Sequence, residues 1–171
     1  MTRQVAELLV ECRGWLDALP DLEDVVNQAT ALALEACQLD QTCYSVSVLA
    51  CDDARIAALN AGFRGQEKPT NVLSWPALEL AAEAPGAQPK APPNGTRDNP
   101  FPLGDVAIAL QTCQREAISA SKPLKNHVTH LILHGVLHVL GYDHETPADA
   151  ELMEGIERKA LSKIGIPDPY E

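Results

Sequence analysis

The sequence predicts an α+β fold in which helices pack on a small mixed β-sheet. Strand-like and helix-like segments follow one another without strict βαβ alternation, and no glycine-rich stretch has phosphate-loop or dinucleotide-binding spacing. One long helical segment carries a row of histidines on an otherwise apolar surface. With 171 residues, 46% hydrophobic and 22% charged, the chain is large enough for one core. We therefore expect residues 1–171 to form a single domain.

The first part of the chain predicts two strands and two helices. Residues 4–12 suit an edge strand or a short helix, and we favour the strand. Residues 21–38 place apolar side chains at helical spacing, with acidic residues in the first turn. Residues 44–50 alternate with the period of a strand, and two aspartates then cap a helix over residues 52–65.

The second part predicts two more strands and further helices. A polar loop enters a short strand at residues 72–75, and residues 103–110 form a strand with a glycine at its entry. Residues 112–121 form a helix that ends before a proline, after which the histidine-rich helix begins. Thr146 caps a last helix with Pro147 at its first position.

Residues 77–100 differ abruptly in composition, because they are rich in proline, alanine and glycine. Such a composition cannot build a packed core. We expect an extended, mobile insertion within the domain. A surface insertion is favoured over a lid that closes on a cleft.

All five histidines lie between residues 127 and 144. On a helix, His127, His130, His134 and His138 fall within about 80° of one another, and apolar residues occupy most of the remaining circumference. This pattern predicts a buried helix with one polar stripe. Because buried imidazoles without partners are costly, the stripe must meet a metal, hydrogen-bonding groups or water.

The end of this segment has the spacing of a metal site. His134 and His138 lie one helical turn apart, and Gly141 stands where a helix commonly stops, so that the chain can deliver His144. The pattern H-x-x-x-H-x-x-G-x-x-H matches the zinc-binding signature of the metzincin proteases. Gly135 replaces the glutamate that serves those proteases as general base. The sequence thus predicts a zincin-like metal-binding helix without the proteolytic base.

Three neutral imidazoles predict one Zn²⁺ per chain, with an open fourth position for a water whose pKa falls to about 7. The ion keeps its full double positive charge, which suits an anionic substrate such as a phosphodiester. The alternatives are a structural zinc or a helix of hydrogen-bonded core histidines. Three histidines at this spacing favour the open site over both.

The formal net charge of −11 argues against broad, nonspecific binding to nucleic acid. Any RNA contact must be local, or a larger particle must present the substrate. Arg64 offers a planar fork of donors to phosphate, and Lys68 offers a point charge on a flexible stem. The alternative for both is a solvated loop cation.

The sequence also predicts the compartment. An early acidic residue and the lack of a long apolar run predict neither a signal peptide nor a membrane helix, so we expect a cytoplasmic protein with no membrane partner. The five cysteines form no C-x-x-C pair, which fits reduced thiols.

Three segments together have the character of family motifs: Arg64-Gly-Gln-Glu-Lys68-Pro-Thr-Asn-Val-Leu-Ser-Trp-Pro76, Leu103-Gly-Asp105-Val106 and His134-Gly-Val-Leu-His138-Val-Leu-Gly141-Tyr-Asp-His144. With them the sequence closely resembles the YbeY family of bacterial and organellar metal-dependent endoribonucleases. The resemblance runs from about Tyr44 to Tyr170. Trp75 stands where phenylalanine is usual, and the insertion at 77–100 is longer than typical.

The resemblance implies roles for particular residues. His134, His138 and His144 would be the zinc ligands, and Arg64 would act on the scissile phosphate. It also implies cleavage of single-stranded RNA, maturation of 16S rRNA ends and ribosome quality control beside the small subunit. The partners would be rRNA and ribosomal or ribosome-associated proteins.

Several roles stay open at this point. The general base is His130, His127 or a hydroxide on the zinc, and the attacking group is water or the ribose 2′-hydroxyl. Lys68 and His130 are candidate substrate contacts. Asp143 either orients a ligand imidazole or shapes the turn before His144. The rival functions are a metzincin-like metalloprotease, disfavoured by the missing glutamate, and a noncatalytic zinc-containing ribosome assembly module.

Overall fold

A computed structural model describes residues 4–171. The described chain forms four strands and six helices: β1 (Ala6–Val10), α1 (Gly14–Ala18), α2 (Leu22–Ala36), β2 (Tyr44–Cys51), α3 (Asp53–Arg64), β3 (Val72–Pro76), β4 (Phe101–Ala109), α4 (Leu110–Ser119), α5 (Leu124–Val139) and α6 (Pro147–Ser162). The predicted α+β class is confirmed. None of the helices in this described part is long and apolar enough to cross a membrane.

The sheet is mixed, as predicted. Its strand order is β1-β2-β4-β3, with β2 parallel to both β1 and β4. The edge strand β3 runs antiparallel to β4, so that Val72 pairs with Ile108 and Pro76 with Gly104. Parallel neighbours need long crossover connections, which α2 provides between the first two strands.

Helices cover the two faces of the sheet unequally. α2 and α5 pack together on the face with the main core, and α5 also contacts β3, β4, α4 and α6. α3 lies on the other face over a smaller apolar cluster that includes Cys51, Ile56 and Leu73. Because α5 contacts so many elements, nine of its residues are buried. This confirms the prediction of a buried helix.

The capping residues act as the sequence predicted. Asp52 caps α3 by accepting a hydrogen bond from the backbone N–H of Arg55 at 2.8 Å, and Gly65 ends the helix in the left-handed conformation. Thr146 caps α6 by accepting from the backbone N–H of Asp149 at 3.1 Å. These local signals fix where α3 and α6 begin.

Two local features differ from the sequence prediction. The five-residue helix α1 was not predicted, because one turn is too short to show helical periodicity. Its Trp15 is fully buried and donates its indole N–H to the carbonyl oxygen of Cys51 at 2.8 Å. Helix α4 starts at Leu110, directly after β4, rather than at residue 112.

The proline-rich stretch 77–100 contains no helix or strand, as its composition predicted. It nevertheless has fixed contacts with the rest of the chain. Leu80 is buried and its carbonyl lies against Gly141, and the backbone N–H of Gly86 donates to Asp149 at 2.8 Å. The insertion therefore lies beside the turn that follows α5. Its mobility stays a prediction.

Gly135 sets how closely α5 approaches the sheet. A Cβ atom at this position would lie 2.9 Å from Val106 Cγ1 and 3.2 Å from Ser74 Oγ. Ser74 also donates its hydroxyl to the carbonyl oxygen of Gly135 at 3.0 Å. The position that holds the catalytic glutamate in metzincins is thus occupied here by a close helix–sheet contact that an added side chain would disturb.

Replacing Gly135 with alanine should destabilise the protein by about 1–3 kcal/mol, because the added methyl group overpacks the contact with Val106. The measurement is the free energy of unfolding from a denaturant titration. Gly155, exposed in α6 with nothing within 4 Å of a Cβ, is the matched control, and Gly155→Ala should stabilise by about 0.5–1 kcal/mol. Equal effects of the two substitutions would contradict the close packing.

Candidate metal centre

The structure brings together the three histidines that the sequence marked as metal ligands. His134 and His138 lie one turn apart on α5, with their Nε2 atoms 3.0 Å apart. His144 comes from the turn after the helix, and its ring centre lies 5.2 Å from that of His134 and 5.1 Å from that of His138. One ligand atom from each residue lies within 4.8 Å of the others.

A buried glutamate on α6 orients His134. Glu157 is 0% exposed, and its Oε1 accepts a hydrogen bond from His134 Nδ1 at 2.5 Å. Burial alone would raise the pKa of Glu157, but hydrogen bonds from His130 and His134 lower it to about 2. The carboxylate is therefore ionised and can only accept, so His134 carries its proton on Nδ1 and keeps Nε2 free.

A backbone carbonyl orients His138 and selects the same tautomer, with the proton on Nδ1. The Nδ1 atom of His138 donates to the carbonyl oxygen of Tyr142 at 3.0 Å. Burial, with a further contribution from His134, lowers the pKa of His138 to about 4. Near neutral pH this imidazole is therefore uncharged, with its Nε2 lone pair pointing toward His134.

His144 is exposed and is placed by the turn rather than by packing. Gly141 adopts a positive φ of 100°, a conformation that favours glycine, and this lets the chain reverse after α5. Asp143 Oδ1 accepts the backbone N–H of His144 at 2.7 Å. Asp143 thus shapes the turn, while Glu157 and the Tyr142 carbonyl accept from the other two imidazoles.

The donor set fits a zinc ion. With both Nδ1 atoms donating, two Nε2 lone pairs face one another across 3.0 Å, an arrangement that a cation stabilises. Zinc–nitrogen bonds of about 2.0–2.1 Å place the nitrogens of a tetrahedral site a little over 3 Å apart. Residues His134, His138 and His144 would hold the ion and leave a fourth position open.

A second triplet, formed by His130, His134 and Glu157, also brings three possible ligand atoms within 4.8 Å of one another. It would use Nδ1 of His134. That atom lies 2.5 Å from the glutamate oxygen, which is a hydrogen-bond distance and shorter than the separation of two ligand atoms on one zinc ion. We therefore interpret this triplet as a hydrogen-bonded network and not as a metal site.

The other two histidines of the stripe each face a carboxylate. His127 Nε2 lies 3.4 Å from Glu116 Oε1, and burial lowers the pKa of His127 while Glu116 opposes that effect. His130 Nε2 lies 3.1 Å from Glu157 Oε2. The polar stripe thus meets two kinds of partner: carboxylates at its first part and the ligand cluster at its last.

A cavity of about 370 Å³ lies at the ligand histidines. It is lined from the loop before β3, from α5 and α6, from the turn between these helices, and from the 166–171 segment that follows α6. Its lining residues are Asn71, His130, Leu131, His134, His144, Ala150, Met153, Glu154 and Tyr170. A substrate in this cavity would contact two of the three ligand histidines.

Arg64 and Lys68 precede Asn71 in the chain and are not among the residues that line this cavity. Arg64 is the last residue of α3, and both side chains are exposed. The loop continues to Asn71, which lines the cavity and donates its side-chain amide to Glu116 at 3.1 Å. Among the described residues, neither cation forms a hydrogen bond or ion pair through its side chain, so both are available to a ligand.

Sequence reasoning missed three residues of this site. Asn71 belongs to a motif but had no predicted role, and no sequence pattern indicated Tyr170. Glu157 had one: it interrupts the apolar face of α6, which carries Met153 and Leu161, and it is nevertheless buried. A charged residue on the apolar face of a helix indicates a buried partner.

Proteins similar in sequence over nearly their whole length carry the name Endoribonuclease YbeY. The one from Ruegeria pomeroyi is 54% identical over 165 residues, which cover 96% of this chain and 96% of that protein. The one from Dinoroseobacter shibae is 52% identical over 171 residues, covering 99% of this chain and 92% of that protein. The one from a Jannaschia species is 49% identical over 164 residues.

The fold has a solved counterpart in the solution structure of TM1509 from Thermotoga maritima. The two share a TM-score of 0.58 and 21% identity, over 93% of this chain and 88% of that one. The model of the family described as Endoribonuclease YbeY matches residues 15–165. The resemblance seen in the sequence motifs is confirmed, and this chain belongs to the YbeY family.

Proposed function

We propose that this chain is a zinc-dependent endoribonuclease that cuts single-stranded RNA in 16S rRNA maturation and ribosome quality control. Membership in a family described as endoribonuclease supports cleavage of RNA. The observation that carries the zinc dependence is the convergence of His134 and His138, whose Nε2 atoms lie 3.0 Å apart with both Nδ1 atoms committed to acceptors.

The chain's own residues prepare the site for one ion. Glu157 and the Tyr142 carbonyl hold two imidazoles in the tautomer that exposes Nε2, and the turn at Gly141 brings His144 to them. Bound zinc would supply Lewis-acid charge to a phosphate oxygen and lower the pKa of a water to about 7. Both effects suit hydrolysis of a phosphodiester.

Arg64 would supply the second positive charge at the proposed active site, beside that of the zinc ion. Its guanidinium would contact a non-bridging oxygen of the scissile phosphate and stabilise the charge that builds there. The exposed side chain has no competing acid partner among residues 4–171. Lys68, exposed in the same loop, would add a weaker contact to a neighbouring phosphate.

The two histidines outside the ligand set, which are candidates for the general base, are each paired with a carboxylate. His130 and His127 each direct Nε2 at a carboxylate, at 3.1 and 3.4 Å. In the tautomer that donates Nε2–H to the carboxylate, Nδ1 keeps the lone pair that a general base needs. His130 lines the cavity, so we keep it as a substrate contact through its ring.

The missing glutamate disfavours the metalloprotease alternative. The zincin glutamate would have to occupy position 135, where even a Cβ atom lies 2.9 Å from Val106. Gly135 has no side chain that could activate a water for peptide hydrolysis.

The acidic character of the chain bears on how RNA reaches the site. A net charge of −11 repels free RNA at long range, so the proposal includes presentation of rRNA by the small ribosomal subunit and its proteins. Work on ribosomal particles would place the protein in the cytoplasm.

Replacing Arg64 with alanine should reduce cleavage of a single-stranded RNA by at least a hundredfold, because the phosphate loses a charge-assisted contact in the transition state. Bound zinc, measured by elemental analysis of the same preparation, should stay at one per chain. Arg55→Ala, a change of another exposed arginine on α3, is the matched control and should leave cleavage unchanged. Wild-type cleavage by the Arg64 variant would refute the assigned role.

Replacing His144 with alanine should lower bound zinc well below one per chain and abolish RNA cleavage, since only two imidazoles are left to hold the ion. The residue is exposed, so folding should be retained, as circular dichroism can verify. His127→Ala is the control, because His127 faces Glu116 and not the ligand cluster. A folded His144 variant that loses zinc and still matures rRNA would favour the noncatalytic assembly module.

A further inference from the structure

The 166–171 segment folds back against α6 and the cavity. Asp168 forms an ion pair with Arg158 of α6, with 2.9 Å between Nε and Oδ2, and its other oxygen accepts the backbone N–H of Tyr170 at 2.8 Å. The carbonyl oxygen of Pro169 accepts from Lys122 Nζ at 3.5 Å. These contacts fix the position of the Tyr170 ring beside the ligand histidines.

Two ring contacts hold Tyr170 in that position. The guanidinium carbon of Arg158 lies 5.5 Å from the centre of the tyrosine ring, within the range of a cation–π contact. The ring of His130 meets it edge to face with 5.5 Å between ring centres. The ring is therefore positioned independently of its hydroxyl group.

The hydroxyl of Tyr170 donates a hydrogen bond to Oε2 of Glu157. Tyr170 is 40% exposed, and its partial burial and this neighbouring carboxylate both raise the pKa of Tyr170, so the hydroxyl keeps its proton. The second oxygen of the same carboxylate, Oε1, accepts from His134 Nδ1 at 2.5 Å. One carboxylate thus connects the 166–171 segment to a ligand imidazole.

We propose that Tyr170 and Glu157 are positioning residues of the metal centre, and that the 166–171 segment acts on zinc binding through them. The inference rests on the proposed function for the identity of the ion. With the hydroxyl on Oε2, the carboxylate plane is fixed and Oε1 is directed at His134. Loss of the hydroxyl leaves Oε2 with His130 as its one hydrogen-bond donor. The Glu157 carboxylate can then rotate away from the His134 ring.

Burying a carboxylate costs free energy when too few hydrogen-bond donors surround it. The Tyr170 hydroxyl is the third such donor to Glu157. Glu157 is 0% exposed and takes hydrogen bonds from His130, His134 and Tyr170. Partners of this kind, which contact a ligand and not the metal, typically contribute a factor of about 10–100 to metal affinity.

The test uses the full chain with Tyr170 replaced by phenylalanine, which removes the hydroxyl and keeps the ring contacts. The dissociation constant of Zn²⁺, measured by competition with a chelator of known affinity, should rise about tenfold in this variant. In Glu157→Gln the same constant should rise by about 10–100-fold. Tyr44→Phe, the same change at a buried tyrosine on β2, is the matched control and should bind zinc as the wild type does.

A structural role alone would affect folding and not zinc affinity. The unfolding midpoint of the metal-free Tyr170→Phe protein should therefore stay close to that of the metal-free wild type, and the visible spectrum of its Co²⁺-loaded form should change. Unchanged zinc affinity in Tyr170→Phe would overturn the inference. Failure of the wild type itself to bind zinc would instead overturn the proposed function.

A second variant covers the case in which Tyr170→Phe does not fold. Asp168→Asn removes the ion pair that anchors the segment and leaves Tyr170, Glu157 and His134 intact. It should weaken zinc binding in the same direction by a smaller factor. Zinc affinity equal to that of the wild type in this folded variant would also count against the inference.

Discussion

The hydrogen bond between His134 and Glu157 joins the chemistry of the site to the packing of the domain. An ionised carboxylate with 0% exposure is tolerated only when donors surround it, and here α5 and the 166–171 segment provide them. The same bond selects the tautomer of His134. The placement of α6 against α5 therefore determines which nitrogen of the ligand faces the cavity, although α6 contributes no ligand of its own.

Close approach of α5 to the sheet is the second constraint. It brings Gly135 against Val106 and Ser74, at the position where a zinc protease requires a glutamate. A single residue thus serves the packing and separates this centre from the peptidases with the same histidine spacing. The histidine spacing is kept while the glutamate is absent.

Strand order explains why motifs far apart in the sequence meet. Edge strand β3 pairs with β4, and α5 packs across both, so the segments 64–76, 103–106 and 134–144 become neighbours. The antiparallel direction of β3 brings Asn71 to the cavity at the point where the polar loop from Arg64 ends.

Much of this could be read from residue patterns, because periodicity and capping are local. The stripe of α5, the caps at Asp52 and Thr146, and the reversal at Gly141 depend on residues a few positions apart. Helix α1 was too short to show a period. The bond from Glu157 to His134 and the approach of Tyr170 depend on residues brought together by the packing of α6 on α5, and hydrophobic patterns do not specify such pairs. Patterns of neighbouring residues therefore set the elements and the ligand spacing, while long-range packing set the partners that orient the ligands.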